Sequence, residues 1–314
     1  MIDRSEPATM HPMSMATAPG GRLSCVAPPA ANIHVTSKLL DGRLLAQRMR
    51  DELRQARLAL GDRPLRLVSL EVGENPAARV YLRGQRKAAE DVGIELVEEH
   101  LAPDVSLATM LGRITQLNDD PTVAGILLQR PLPSHIPARE AQGAISRRKD
   151  VEGMNPANMG AVLYHEPALA PCTASAALRL IQESGIDMAG SEAVVVGHSE
   201  IVGKPIAMFL LHHLSTVTVC HVATRRLAEH TRRADILVVA VGKPGLVRGD
   251  MVKPGSVVID IGINTLPDGR VVGDVDHDTV APVAGFLTPV PGGVGPVTVA
   301  MLMRNTLRAA GLQV

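Results

Sequence analysis

A chain of 314 residues is long enough for two domains of ordinary size. It is 46% apolar yet has no Trp and only two Tyr and two Phe, so its core must be aliphatic, and it lacks the stacking platforms of carbohydrate and single-stranded nucleic-acid binders. Lys plus Arg and Asp plus Glu balance at 32 each, which leaves no basic field for nucleic acid or an anionic membrane, and no apolar run approaches the roughly 18 residues of a span.

Residues 1–35 are rich in Met, Pro, Ala and Ser without helical or strand period, and read as a disordered extension. A start at Met10, Met13 or Met15 fits equally well, while a transit peptide is only faintly signalled by Arg4 and Arg22. From Leu40 to Leu60 apolar residues recur at helical spacing, and Gly61-Asp62-Arg63-Pro64 ends that helix. A strand over 67–72, a helix over 77–92, a strand ELVEEHL, a helix over 107–117 and a strand over 123–128 follow. Residues 150–171 read as irregular, and a helix from Cys172 to Ser184 joins the two halves.

The second half is organised around Ala193 to Pro205, AVVVGHSEIVGKP, which reads as a buried strand, a glycine turn and the start of a helix. Such a helix N-terminus can hold a phosphate, although Gly197 and Gly203 do not make the full dinucleotide fingerprint. Strands over 216–220, 235–240 and 256–261 alternate with helical segments, as in a parallel sheet covered on both faces. Gly197, His221, Gly242 and Gly262 fall just past strand ends, where a dinucleotide lies in such folds. Pro289 to Thr298 reads as a proline- and glycine-rich loop, and a helix from Val299 closes the chain. Cys25, Cys172 and Cys220 are odd in number and widely spaced, which suits a reducing, cytoplasmic setting and gives no metal-ligand pattern.

The strand-end loops and one helix supply a set of polar groups for a single cleft. Tyr81 and Gln85 are four apart and share a helical face, with Lys87 on the same helix. Gln129 follows a strand, and Asp150 and Glu152 sit in KDVEG, which alone is as readily a solvated turn. Tyr81 is either a stacking platform or a half-buried core residue. The glycines of PGGVGP allow close backbone approach to a flat ligand.

Ten segments in order, among them VGENPAARVYLRGQRKAAEDVGI, GILLQRPLP, KDVEGMNPANMG, VVVGHSEIVGKP, VVIDIGIN and TPVPGGVGPVTVAMLMRNT, resemble the bifunctional methylenetetrahydrofolate dehydrogenase/cyclohydrolase family from about residue 36 to the end. The resemblance implies a homodimer of two-domain α/β chains. A folate-binding domain would take residues 36–174 together with a C-terminal helix at 299–314, and a Rossmann-type NAD(P) domain residues 175–298. It implies folate stacked on Tyr81, with Gln85, Gln129 and Asp150 at the catalytic centre. Leu128, Arg130, Glu152 and Pro291, Gly292, Gly293, Val294 and Gly295 would line the substrate site. Gly197, His198, Ser199, Val222, Arg225 and Ile263 would line the cofactor site.

The departures from the family pattern carry chemistry. Its lysine four residues after the tyrosine is Gln85, its second KDVDG aspartate is Glu152, a leucine is Arg130 and the arginine of its GRS turn is His198. Hydride departure needs mainly orientation of the folate ring against nicotinamide, whereas ring hydrolysis needs a group that carries a proton. A neutral amide carries none, so Gln85 leads to the expectation that dehydrogenation survives and the cyclohydrolase step is lost or reduced. A fully bifunctional enzyme and a non-catalytic binding paralogue stay open as alternatives. Cys220-His221-Val222 offers no acid for a ribose hydroxyl and Arg225 and Arg226 follow, which favours NADP, with NAD open.

Overall fold

The computed structural model describes residues 37–61, 63–73, 78–165 and 167–314, the side chains of 78–81 excepted. The expected extension over residues 1–35 lies outside them. The elements in order are β1 (Lys38–Leu39), α1 (Gly42–Arg57), β2 (Arg66–Val72), α2 (Ala78–Val92), β3 (Glu95–Leu101), α3 (Leu107–Asp119), β4 (Val123–Leu128), α4 (Ala138–Ala144), α5 (Pro156–Leu163) and α6 (Cys172–Glu183). Then come β5 (Glu192–Val196), α7 (Gly203–His212), β6 (Thr216–Cys220), α8 (Leu227–Thr231), β7 (Ile236–Val239), β8 (Val257–Asp260), β9 (Asn264–Thr265), β10 (Val271–Val272), α9 (His277–Val280), β11 (Phe286–Leu287) and α10 (Val294–Ala309).

Two parallel sheets result. The smaller has the order β3-β2-β4, the larger β1-β11-β8-β7-β5-β6, and β9 and β10 form a separate antiparallel pair. In the larger sheet Val195 lies between Val219 and Val238. Strands covered on both faces read as continuous apolar runs, and EAVVV is one. Its side chains alternate between two cores: Ala193 and Val195 share one with α6, α7 and α10, whereas Val194 and Val196 pack with Leu237, Val239, Val258 and Val280. In the smaller sheet Val68 and Leu70 face Met110 and Ile114 of α3, and Leu67 faces Leu45, Ala88 and Ala89 of α1 and α2.

The helices that wall the site are fixed by local rules. Asp41 caps α1 by accepting from the backbone N–H groups of Arg43 and Leu44, and Leu45, Met49 and Leu53 give the helix its buried stripe. Helix α10 packs on α1, α2 and β4 as well as on α6, so it touches both sheet systems.

Three expectations need correction. Helix α10 begins at Val294, inside the stretch read as a loop to Thr298, because Pro296 falls in the first turn, where its missing N–H has no intrahelical partner to lose. Residues 156–163 form α5 within the stretch read as irregular, with Asn155 capping the Ala157 N–H and Pro156 at the first helical position. Lys38 and Leu39 pair with Phe286 and Leu287, so the chain enters through the larger sheet before it builds the smaller one.

Candidate active site

A cavity of about 920 Å3 is walled by α2 through Arg83, Gly84 and Lys87, by the loop after β8 from Ile261 to Ile263, and by Pro289 to Val299. A smaller cavity of about 80 Å3 shares Thr173, Gly295, Thr298 and Val299 with it and is lined further by Gln85, Leu127, Glu152 and Cys172. The proline- and glycine-rich segment sits against α1: a Cβ on Gly42 would lie 1.7 Å from the Gly293 carbonyl oxygen. Only glycine permits that approach, and Gly292 has φ +112°.

Period-2 alternation in β2 turns Ser69 to the same face as Leu67, beneath α2. There Gln129 Nε2 donates to Ser69 Oγ at 3.0 Å and to Gln85 Oε1 at 3.1 Å, all three residues being buried. Tyr81 lies one turn before Gln85 on α2, and its side chain is outside those described. Lys87 is exposed and pairs with Asp91 at 3.6 Å, and Arg86 pairs with Glu98 at 2.6 Å, so neither cation takes the Gln85 position.

Asp150 does not belong to the cleft. It is fully buried, and its Oδ1 accepts from Gln142 Nε2 at 3.1 Å. Its Oδ2 accepts from the Asn155 N–H at 2.7 Å and Asn158 Nδ2 at 2.8 Å. The carboxylate thus ties α4 to α5, and burial raises its pKa against those hydrogen bonds. The acid that reaches the cavity is Glu152, two residues on. Burial and the Asp150 charge push it up to about 7, against the pull of Arg130 and of the Leu128 N–H. Leu128 is corrected as well: its side chain packs with Met110 and Ile114, while Leu127 faces the cavity. Arg130 is exposed at the head of a cis Arg130–Pro131 bond.

At the larger sheet, Gly197 has φ +120° and a Cβ there would lie 2.2 Å from the Ala240 carbonyl oxygen. A Cβ on Gly203 would lie 2.2 Å from the Gly197 oxygen, so the turn folds tightly onto the start of α7. Ser199 Oγ already accepts from the N–H groups of Val202 and Gly203, and its carbonyl from Lys204, which occupies donors expected to face a phosphate. His198 and His221 stand with ring centroids 5.2 Å apart at the ends of β5 and β6. Val222 is fully exposed, Ile263 is 50% exposed, and Ile201 and Val241 are uncovered beside the same strand ends. Arg225 is exposed just beyond Val222. Uncovered apolar side chains next to imidazoles and a guanidinium suit a ligand with flat rings and phosphates, and so fit an NAD(P) nucleotide.

Two acids that sequence reasoning did not single out organise this rim. Asp260 accepts from the N–H groups of Gly262, Asp274 and Val275, and burial with the Asp274 charge pushes it up to about 6. Asp274 accepts from Val241, Gly242 and Lys243, so it clamps the loop after β7. Their signal was an acid among glycines in DIGIN and GDVD, a pattern for caging backbone donors.

Comparison with known proteins agrees with this geometry. Residues 40–152 match the family model of the tetrahydrofolate dehydrogenase/cyclohydrolase catalytic domain, and residues 171–314 that of its NAD(P)-binding domain. The chain is 53% identical over 276 residues to bifunctional protein FolD 3 of Roseobacter denitrificans, covering 87% of this chain and 95% of the relative. The crystal structure of bifunctional FolD from Campylobacter jejuni superposes with a TM-score of 0.84 at 41% identity, covering 87% of this chain and 98% of that one. FolD of Trypanosoma brucei, solved with NADP and an inhibitor, superposes with a TM-score of 0.82 at 38% identity, covering 87% and 97%. With the fold, the cleft and both family models in agreement, this chain belongs to the tetrahydrofolate dehydrogenase/cyclohydrolase family.

Proposed function

We propose that this protein oxidises 5,10-methylenetetrahydrofolate to the methenyl form with NAD(P), and hydrolyses the methenyl form to 10-formyltetrahydrofolate. The observation that carries the reading is the cleft itself. Gln85, held by Gln129, and Glu152 meet at its inner end, and Ile263 and the segment from Pro289 to Gly295 form its other wall. A pteridine needs a few polar contacts in an apolar slot, and this lining offers them. The bound nucleotide supplies the hydride acceptor. The protein's share in oxidation is to orient the folate ring and exclude water, since the folate nitrogen stabilises the cation that forms.

Gln85 alone pointed to loss of the hydrolytic step. The bifunctional name of relatives about 50% identical supports the opposite reading, in which another group carries the proton. NADP is the favoured cofactor, because no acid stands at the end of β6 and Arg225 follows. The NADP complex of the Trypanosoma brucei enzyme supports the same choice.

The reading includes a homodimer. Leu163 and Tyr164, at the end of α5, and Leu211 and Leu214, at the end of α7, are large exposed apolar side chains on neighbouring helices close to the edge strand β6.

The test is an absorbance assay on methylenetetrahydrofolate with NADP, then NAD, read before and after acidification. Reduced nucleotide together with the formyl product supports both steps. Methenyl product accumulating before acid means hydrolysis is lost. Folate binding without reduced nucleotide moves the assignment to a binding protein.

A further inference from the structure

A second cavity shares no lining residue with the folate cleft. Its volume is about 640 Å3, within the ordinary range of small-molecule sites. Helices α6 and α10 line the cleft near their N-terminal ends, with Thr173 and with Gly295 and Thr298. Further along, the same helices wall the second cavity with Arg179 and with Met301, Arg304 and Arg308. Its floor is apolar: Met49 and Leu53 of α1, Phe209 of α7 and Met301 are each at most 7% exposed. Met49 and Leu53 are four apart and belong to the buried stripe of α1, while Arg43 and Arg50 of that helix turn to the cleft.

The rim of this cavity is cationic. Arg304 and Arg308 stand one turn apart on α10, and Arg179 of α6 is near enough for its charge to bear on Arg304. Burial, then the charges of Arg308 and Arg179, lowers the Arg304 guanidinium from its ordinary value. Like charges at that spacing repel, so the fold bears a cost that a bound anion would offset. Arg304 Nε donates to the Val314 carbonyl at 2.9 Å, and among the described residues its other two nitrogens have no partner. Arg308 makes no side-chain hydrogen bond or ion pair among the described residues. Arg179 meets Glu183 at 3.7 Å, but Arg48 holds that carboxylate as well. Glu52 is the one acid of the described lining, and it forms an ion pair with none of the three guanidiniums. His212 and His213, on the remaining wall, each donate one ring nitrogen to a backbone carbonyl at 2.8 Å, which leaves the other nitrogen unspent.

We propose that this cavity is a second ligand site, which takes a small carboxylic acid with an apolar body. The body lies on Met49, Leu53, Phe209 and Met301, and the carboxylate sits between Arg304 and Arg308 with Arg179 beside them. A guanidinium presents paired N–H donors that match the two oxygens of a carboxylate. A bare inorganic anion would answer the rim and leave the apolar floor against water. A neutral apolar molecule would cover the floor and leave the like charges unbalanced. A molecule with both halves answers both demands, as small-molecule sites ordinarily do with an apolar lining and a few placed polar groups. None of these groups belongs to the folate or nucleotide site, so the inference stands or falls apart from the enzymatic reading.

The experiment is titration calorimetry on the full ligand-free chain near neutral pH with three probes. Octanoate has both halves, octanamide has the same body without the charge, and inorganic phosphate has charge without the body. Octanoate is expected to saturate at one molecule per chain. Octanamide and phosphate should each bind at least about tenfold more weakly, for want of a charge-assisted contact or of buried methylenes. R304Q and R308Q should each weaken octanoate at least about tenfold, and S175F, which fills the cavity from α6, should abolish its binding. Arg308 is half-buried and holds no partner among the described residues, so R308Q breaks no contact and decides the matter should R304Q not fold. Octanoate that fails to saturate wild type overturns the proposal. So does an octanoate affinity within about threefold of wild type in R304Q and R308Q, which would place the probe elsewhere, as in the folate cleft. Octanamide as tight as octanoate would leave an apolar cavity alone, and phosphate as tight as octanoate a simple anion patch. Either result overturns the assignment.

Discussion

Gln129 Nε2 donates to Gln85 Oε1 across 3.1 Å and to Ser69 Oγ across 3.0 Å, so one buried amide fixes the orientation of the other. The cleft therefore meets Gln85 through its NH2 group, a donor without a charge. Gln85→Lys would place an ammonium at the cavity that Glu152 lines. A nearby cation favours the ionised carboxylate, so the Glu152 carboxyl should titrate below 7 and the stability it loses between pH 5 and pH 8 should shrink. Urea unfolding of the ligand-free variant at pH 5 and pH 8 checks this; a loss equal to that of wild type means the two positions do not share a field.

Asp150 is expected to govern stability rather than chemistry. Asp150→Ala orphans the donors of Gln142, Asn155 and Asn158 inside the smaller sheet system. The expected cost is about 2–4 kcal/mol in urea unfolding, with the kcat of the folded fraction within a few-fold of wild type. A stable variant with no turnover would return Asp150 to the active site.

Glu152 also makes stability depend on pH. Its folded value, about 7, lies above the ordinary glutamate value of 4.5, so the native state keeps a proton that the unfolded chain has released. The stabilisation is complete below pH 4.5 and is lost as pH rises through 7. At 1.36 kcal/mol per unit the full effect is about 3 kcal/mol. Asp260, raised to about 6, adds a loss of the same sign over a lower window. Unfolding of ligand-free wild type and Glu152→Gln at pH 5 and pH 8 should show the variant gaining on wild type at the higher pH. Parallel behaviour would mean that Glu152 titrates like a solvated carboxyl.

Gly203 has no space for a methyl group, because its Cβ would sit 2.2 Å from the Gly197 carbonyl oxygen. Gly203→Ala must push the turn away from α7, and with it His198 and Ser199. Nucleotide affinity, measured by NADPH fluorescence titration, should fall at least about tenfold, or about 1.4 kcal/mol. Folate affinity should change less, and equal losses for both ligands would indicate general unfolding.

Arg225, exposed past the end of β6, is the side chain placed to meet a 2′-phosphate. Arg225→Glu should raise the KM for NADP by about tenfold or more and leave that for NAD nearly unchanged, since a charge-assisted contact is worth about 1.5–3 kcal/mol. Equal effects on the two nucleotides would remove Arg225 from cofactor selection.

Periodicity by itself determined most of the elements of this protein. The strand VVV before Gly197, the helix with Leu45, Met49 and Leu53 on one face, and the strand ending at Gln129 follow from apolar spacing that burial must satisfy. Glycines with forced backbone, such as Gly197, were legible as turn positions because no other residue tolerates the conformation. What sequence left undecided was which of two neighbouring polar residues faces the cleft. Asp150 and Glu152 are equally acidic in KDVEG, and only the packing of α4 and α5 shows the first enclosed by donors and the second open to the cavity. Leu127 and Leu128 are distinguished in the same way, by the face of β4 that meets α3. The start of α10 at Val294 was hidden by its glycines and proline, since the helix is held there by contacts with α1 and α2 rather than by its own propensity. Local spacing is written along the chain, but the partner of a buried polar group lies in another segment, and tertiary structure alone brings that segment to it.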